Sequence, residues 1–151
     1  TLSKDKGLAD WKVIAHASGG QAAIYTKDLS LVPEIEKVLV ENQSLGYRMV
    51  PKSYLEAQST YPEAVMAISA NFGYTISGSV TGNIVGSAGI KGQHGHLPDD
   101  PRLYTGFIAA GCGIKSGQKL GTISNLDVTP TIASWLKIDM DTQGKPLGIA
   151  R

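Results

Sequence analysis

Apolar positions divide the chain into short, alternating elements. Residues 11–17 and 21–26 read as two strands about the turn Ser18-Gly19-Gly20, whose glycines permit the positive φ of a tight hairpin. From Ser30 the period lengthens. Val32, Ile35, Val38, Leu39 and Leu45 share one helical face, and Glu34, Glu36, Lys37 and Glu41 share the other. A helix over residues 30–45 follows, with Ser30 as N-cap, Pro33 in the first turn and Gly46 at the position after its end. Residues 47–50 predict a strand stopped by Pro51, and 53–58 a single helical turn. The run 64–68 is apolar throughout and bounded by Pro62 and Asn71, the pattern of a strand buried on both faces.

Beyond Asn71 the periodicity fades. Glycines at 73, 78, 82, 86, 89 and 92 punctuate a loop over 71–92. Residues 107–110 predict a second buried strand. Asp127 caps a helix whose Val128, Ile132, Trp135 and Leu136 share a face, and that helix is expected against the same sheet. The stretch 139–151 is turn-rich and expected along the surface. Strands alternating with helices give an α/β fold in one domain over 1–151, with a partly parallel sheet flanked by helices. The first hairpin is free to form a small β subdomain near the N-terminus, beside that sheet.

Composition changes this picture little. An apolar content of 42% and a charged content of 18% belong to a globular chain, and 151 residues suffice for one real core. A formal charge of +1 gives no reason to expect nucleic acid or an anionic membrane as partner. No run has the length of a membrane span. Cys112 is the single cysteine, so no internal disulfide forms; flanked by glycines, it reads as a small buried hydrophobe.

Candidate chemistry concentrates near residue 94. His94 and His96 stand two apart, so on an extended segment both imidazoles point to one side and could reach one metal. His16 is the only other histidine, and a site made of His16, His94 and His96 is one reading of the three. Asp99 and Asp100, between Pro98 and Pro101, read as turn carboxylates bonding nearby amides. Gly82 to Gly86 lacks the Gly-Lys-Ser/Thr ending of a phosphate-binding loop. Ser18 and Ser116 lie beside glycine without forming a nucleophile elbow. Trp11 and Trp135 read as core anchors.

Several segments together resemble the C-terminal part of the type I phosphodiesterase/nucleotide pyrophosphatase family of the alkaline phosphatase superfamily. They are Trp11 with Ser18-Gly19-Gly20 and Ala23-Ile24-Tyr25, then Tyr61-Pro62-Glu63-Ala64 and Gly73-Tyr74. Lys91-Gly92-Gln93-His94-Gly95 follows, then Phe107 through Gly117, and finally Asp127 with Pro130-Thr131-Ile132-Ala133. The resemblance runs from about Gly7 to about Gly148. It implies the C-terminal part of an alkaline-phosphatase-like sheet, and a hydrolase acting on phosphodiester or pyrophosphate bonds with two zinc ions. In that family a threonine or serine nucleophile works between the two metals.

His94 falls on the family's late zinc-ligating histidine. His96 falls where the family carries tyrosine or phenylalanine, which makes it a pocket-lining or solvent-facing residue. The resemblance implies that the nucleophile and the other ligands lie N-terminal to the matched region; among those ligands are residues of Asp-x-x-x-His and Asp-His-Gly motifs, and neither motif occurs in this sequence. The chain is therefore expected to be the C-terminal fragment of a larger enzyme, inactive alone, with the N-terminal segment of the same polypeptide as its partner. A small phosphodiester or nucleotide would be the substrate. Many relatives are periplasmic or extracellular, so the resemblance is compatible with export. Two alternatives share these residues: a phosphonate hydrolase of the phosphonoacetate hydrolase kind, and a non-catalytic binding or scaffold domain.

Overall fold

The computed structural model describes residues 2–3, 7–8, 11–111 and 113–149. It is mixed α and β, and it divides into two compact units, Thr1–Tyr104 and Thr105–Arg151. In chain order the regular elements are strands β1 (Leu2–Ser3), β2 (Gly7–Leu8), β3 (Val13–Ala17) and β4 (Gln21–Thr26), and helix α1 (Val32–Glu41). Strand β5 (Tyr47–Val50), helix α2 (Lys52–Ala57), strand β6 (Met66–Ala70) and helix α3 (Val128–Leu136) follow.

The first unit is built on a four-stranded sheet in the order β3-β4-β6-β5. Every pairing in it is antiparallel, which corrects the expectation of a partly parallel sheet. Strands β4 and β5 do run the same way, as a strand–helix–strand unit requires. However, β6 returns between them and pairs with both, so the two parallel strands never touch. The hairpin β3–β4 belongs to this sheet and is not a subdomain beside it. A separate two-stranded ladder joins β1 to β2.

Register assigns the two faces. Val50, Ala67, Ala23 and His16 are cross-strand neighbours in one row, and Arg48, Ser69 and Gln21 form the next row on the same face. Val50, Ala67 and Ala23 pack with Leu55 of α2, Ala64 and Leu97 into the core, with Tyr25, Tyr54 and Tyr61 against it. The opposite face carries Ala22, Ile24 and Met66, all buried, and Tyr47, whose hydroxyl donates to Leu39 O of α1 at 2.7 Å. Helices therefore meet both faces.

Helix α1 is shorter than its pattern predicts. Residues 29–31 and 43–45 close as tight three-residue helical turns on either side of it. The turn over residues 29–31 that leads into α1 is capped by Asp28, and Ser30 caps neither turn nor helix: the Asp28 carboxylate accepts from Ser30 N at 3.0 Å and Ser30 Oγ at 2.6 Å. Gly46 ends the segment with φ +107°, as expected of a glycine there.

The second unit differs most from expectation. Residues 107–110 are not a strand; Phe107 is 39% exposed and Ile108 95% exposed. An apolar run needs a neighbouring edge to become a strand, and no ladder in the described residues includes this one. Helix α3 begins through a turn at Asn125–Asp127 capped by Ser124 Oγ, which accepts from Leu126 N at 3.2 Å. Asp127 instead accepts from Lys145 N at 2.9 Å. The buried face of α3 is Pro130, Thr131 and Ala133, whereas Ile132, Trp135 and Leu136 are exposed. Trp135 is therefore not a core anchor. Thr131 explains the reversal: its Oγ1 donates to Asp127 O at 2.5 Å and accepts from Leu147 N at 2.8 Å. The stretch after Asp139 thus docks on α3, with Ile149 buried, and does not run freely along the surface. Cys112, Ala150 and Arg151 lie outside the described residues, and with Cys112 its expected burial.

Candidate functional site

Two turns that share only their glycines in sequence meet at one end of the sheet. The β3–β4 hairpin turns at Gly19-Gly20, where Ser18 N donates to Gln21 O at 2.7 Å. Gly20 N donates to His94 O at 2.8 Å, and Gly20 O accepts from Ala70 N at 2.8 Å. Gly19 O accepts from Ile76 N at 2.6 Å and from Thr75 Oγ1 at 3.0 Å. One glycine pair therefore joins β4, the end of β6, the start of the long loop and the histidine turn.

Only glycine fits this contact. A Cβ on Gly20 would run into the backbone and ring of His96, and a Cβ on Gly95 would run into Ser18 O. Gly95 also holds φ +82°, the left-handed region that other residues enter at a cost. Beyond it, Leu97 is buried in the core below the sheet face, and Asp99 pairs with Arg48 Nη2 at 2.8 Å. The segment 93–99 is thus tied to the sheet at three points: a backbone bond, an apolar anchor and an ion pair.

The two histidines of this turn separate. His94 is exposed, and His96 is half-buried against Gly20. His96 lines a cleft of about 480 Å³ that also takes in Arg48, Ser69, Lys91, Asp100 and Arg102; His94 is not among its lining residues. His16, on β3, is exposed. The three histidines do not form a group able to hold a metal, and among the described residues no three His, Cys, Asp or Glu side chains do. The described geometry therefore lends no support to the three-histidine reading. Among the described residues, the exposed His94 imidazole has no pair of His, Cys, Asp or Glu side chains beside it with which to complete a three-ligand site.

Asp100 behaves as turn chemistry predicts, accepting from Arg102 N at 3.0 Å. It also accepts from Arg102 Nε and Nη2, and these bonds hold its carboxyl down at about 2. Asp99 departs from the turn reading, because its carboxylate reaches across to β5. Burial pushes the Tyr54 hydroxyl up, and the nearby Asp99 charge adds to the effect. Sequence reasoning overlooked Arg48 and Arg102. Arg102 follows Asp100 by two residues and was readable as its partner; nothing in the sequence marks Arg48 as the partner of Asp99.

The remaining candidates are plain. Gly82 to Gly86 lies in an exposed loop without regular structure, and Ser116 is exposed. Trp11 is half-buried with Lys27 Nζ 4.9 Å from its ring centroid. No helix among the described residues is long and apolar enough to cross a membrane. Comparison with protein-family models, with curated proteins and with solved structures gives no match to this chain.

Proposed function

We propose that this chain is the C-terminal part of a two-zinc phosphodiesterase/nucleotide pyrophosphatase of the alkaline-phosphatase-like kind, and that His94 supplies one ligand to one of its metals. The observation that carries the reading is the contact between the hairpin turn and the histidine turn. Both are segments on which the family resemblance rests, and the Gly20 N to His94 O bond joins them. The imidazole of His94 is left exposed on a backbone that is fixed from three directions. An exposed side chain on a rigid turn suits a ligand that must meet donors from another segment.

The remaining ligands and the nucleophile would come from the N-terminal segment of the same polypeptide. Zinc, when bound there, would supply Lewis acidity to a phosphoryl group. The part of this chain is positional: to hold His94 in place and to close one side of the substrate site. Consistent with that division, the chain alone should not hydrolyse a nitrophenyl phosphodiester when zinc is supplied. Turnover by the isolated chain that survives repurification contradicts the proposal.

A further inference from the structure

The cleft beside the histidine turn has a chemistry of its own. Its volume of about 480 Å³ lies within the range of small-molecule sites, roughly 300–1,000 Å³. Arg48 and Ser69, cross-strand partners on one sheet face, both line it. The start of the long loop, around Tyr74, contributes one side, and the stretch around Ile90 and Lys91 another.

Three cationic residues reach this space from three different segments: Arg48 from β5, Lys91 from the glycine loop and Arg102 from the turn at Pro101–Leu103. Two carboxylates face them. Asp99 takes both its bonds from Arg48 Nη2, at 3.1 and 2.8 Å. Asp100 takes Nε and Nη2 of Arg102, at 2.6 to 3.0 Å. Each carboxylate orients a guanidinium without consuming it. Among the described residues, Nε and Nη1 of Arg48 and Nη1 of Arg102 have no protein acceptor, and Lys91 makes no ion pair. Guanidinium donors that their carboxylates orient but do not use up, in one cleft lining with a lysine, are groups that recognise phosphate oxygens.

We propose that this cleft binds a small phosphate monoester, its phosphate held by Arg48, Lys91 and Arg102 and its organic body lying against Tyr74 and Ile90. An organic body is required because the cleft is far larger than a phosphate group and part of its lining is apolar. The inference rests on the cleft's own residues and is independent of the role given to His94.

Titration of the isotopically labelled chain with p-nitrophenyl phosphate at constant ionic strength, followed by amide resonances, tests it. Saturable shifts are expected at Asn71, Tyr74, Lys91 and Arg102. Lys91→Ala should weaken binding by at least about threefold, on the scale of one solvent-exposed ion pair, and Lys91→Arg should restore most of the loss. Lys91 is exposed, so the variant should keep the dispersed spectrum of the folded chain. Shifts that never saturate, shifts centred elsewhere, or a Lys91→Ala change below threefold would overturn the proposal.

Discussion

The amide of Gly20 donates to the carbonyl of His94 at 2.8 Å, so the turn of the first hairpin holds the histidine turn by its backbone. That bond uses only the backbone of residue 94 and none of its side chain. The turn is therefore shaped by its glycines, and His94 can be altered without dismantling what supports it.

Gly95→Ala should do the opposite. The new Cβ meets Ser18 O, and φ +82° adds the left-handed penalty of about 1–2 kcal/mol for an L-residue. Urea unfolding should show a midpoint well below that of the parent. Gly92→Ala, where a Cβ meets nothing within 4 Å, should change stability by less than about 0.5 kcal/mol. Equal effects at the two positions would mean that the 93–96 turn is not packed on the hairpin.

The Arg48–Asp99 pair is a tether of modest strength, because both side chains are about half exposed. A double-mutant cycle with Arg48→Met and Asp99→Asn should give a coupling of about 0.2–1 kcal/mol. It should shrink on going from low salt to about 1 M salt, where the screening length falls to about 3 Å. A coupling indifferent to salt would argue against an exposed ion pair.

Asp100 offers a pH signature. Hydrogen bonds from the Arg102 side chain, then from its backbone amide, lower the carboxyl from 3.8 to about 2. A carboxyl depressed in the folded chain stabilises the fold fully above its ordinary value, and the contribution is lost as pH falls through about 2. Carboxyl-carbon resonances should place the Asp100 midpoint near the lower value in the parent and return it toward 3.8 in Arg102→Ala. An unchanged midpoint would refute the role of Arg102.

Leu55 and Ile108 separate the real core from the expected one. Leu55 is 1% exposed and packs in the main cluster, so Leu55→Ala should cost about 2–5 kcal/mol. Ile108→Ala should cost less than about 0.5 kcal/mol, because its side chain touches mainly solvent. Amides at 107–110 should also exchange rapidly, as unpaired backbone does.

The contrast shows what the sequence could convey. Local signals were legible: the glycine hairpin, the amphipathic helix ending at Gly46, the strand stopped by Pro51 and the apolar strand around Ala67. Pairing was not, because β6 could follow α2 to either edge of β4 and β5, and nothing in its composition reports that it enters between them. The apolar run at 107–110 looked like β6 in composition, yet strand formation depends on a partner that the run itself does not specify. On α3 three of the four apolar residues at helical spacing, Ile132, Trp135 and Leu136, were misleading, since Thr131 buries a hydroxyl that bonds to both Asp127 O and Leu147 N. At the site, His94 and Gly95 were visible as a motif. Their contact with Gly19 and Gly20 was not, because glycine records the need for close approach without naming what approaches.

The role of His94 is tested most directly by counting zinc in the polypeptide that joins this chain to its N-terminal segment, as the parent and as His94→Ala and His96→Ala. The Gly20–His94 backbone bond should survive in the first variant, so loss of metal there would report the imidazole and not a collapsed turn. Two zinc ions per parent molecule, one in His94→Ala and two in His96→Ala, is the predicted result. Full retention in His94→Ala, or loss confined to His96→Ala, would contradict the account.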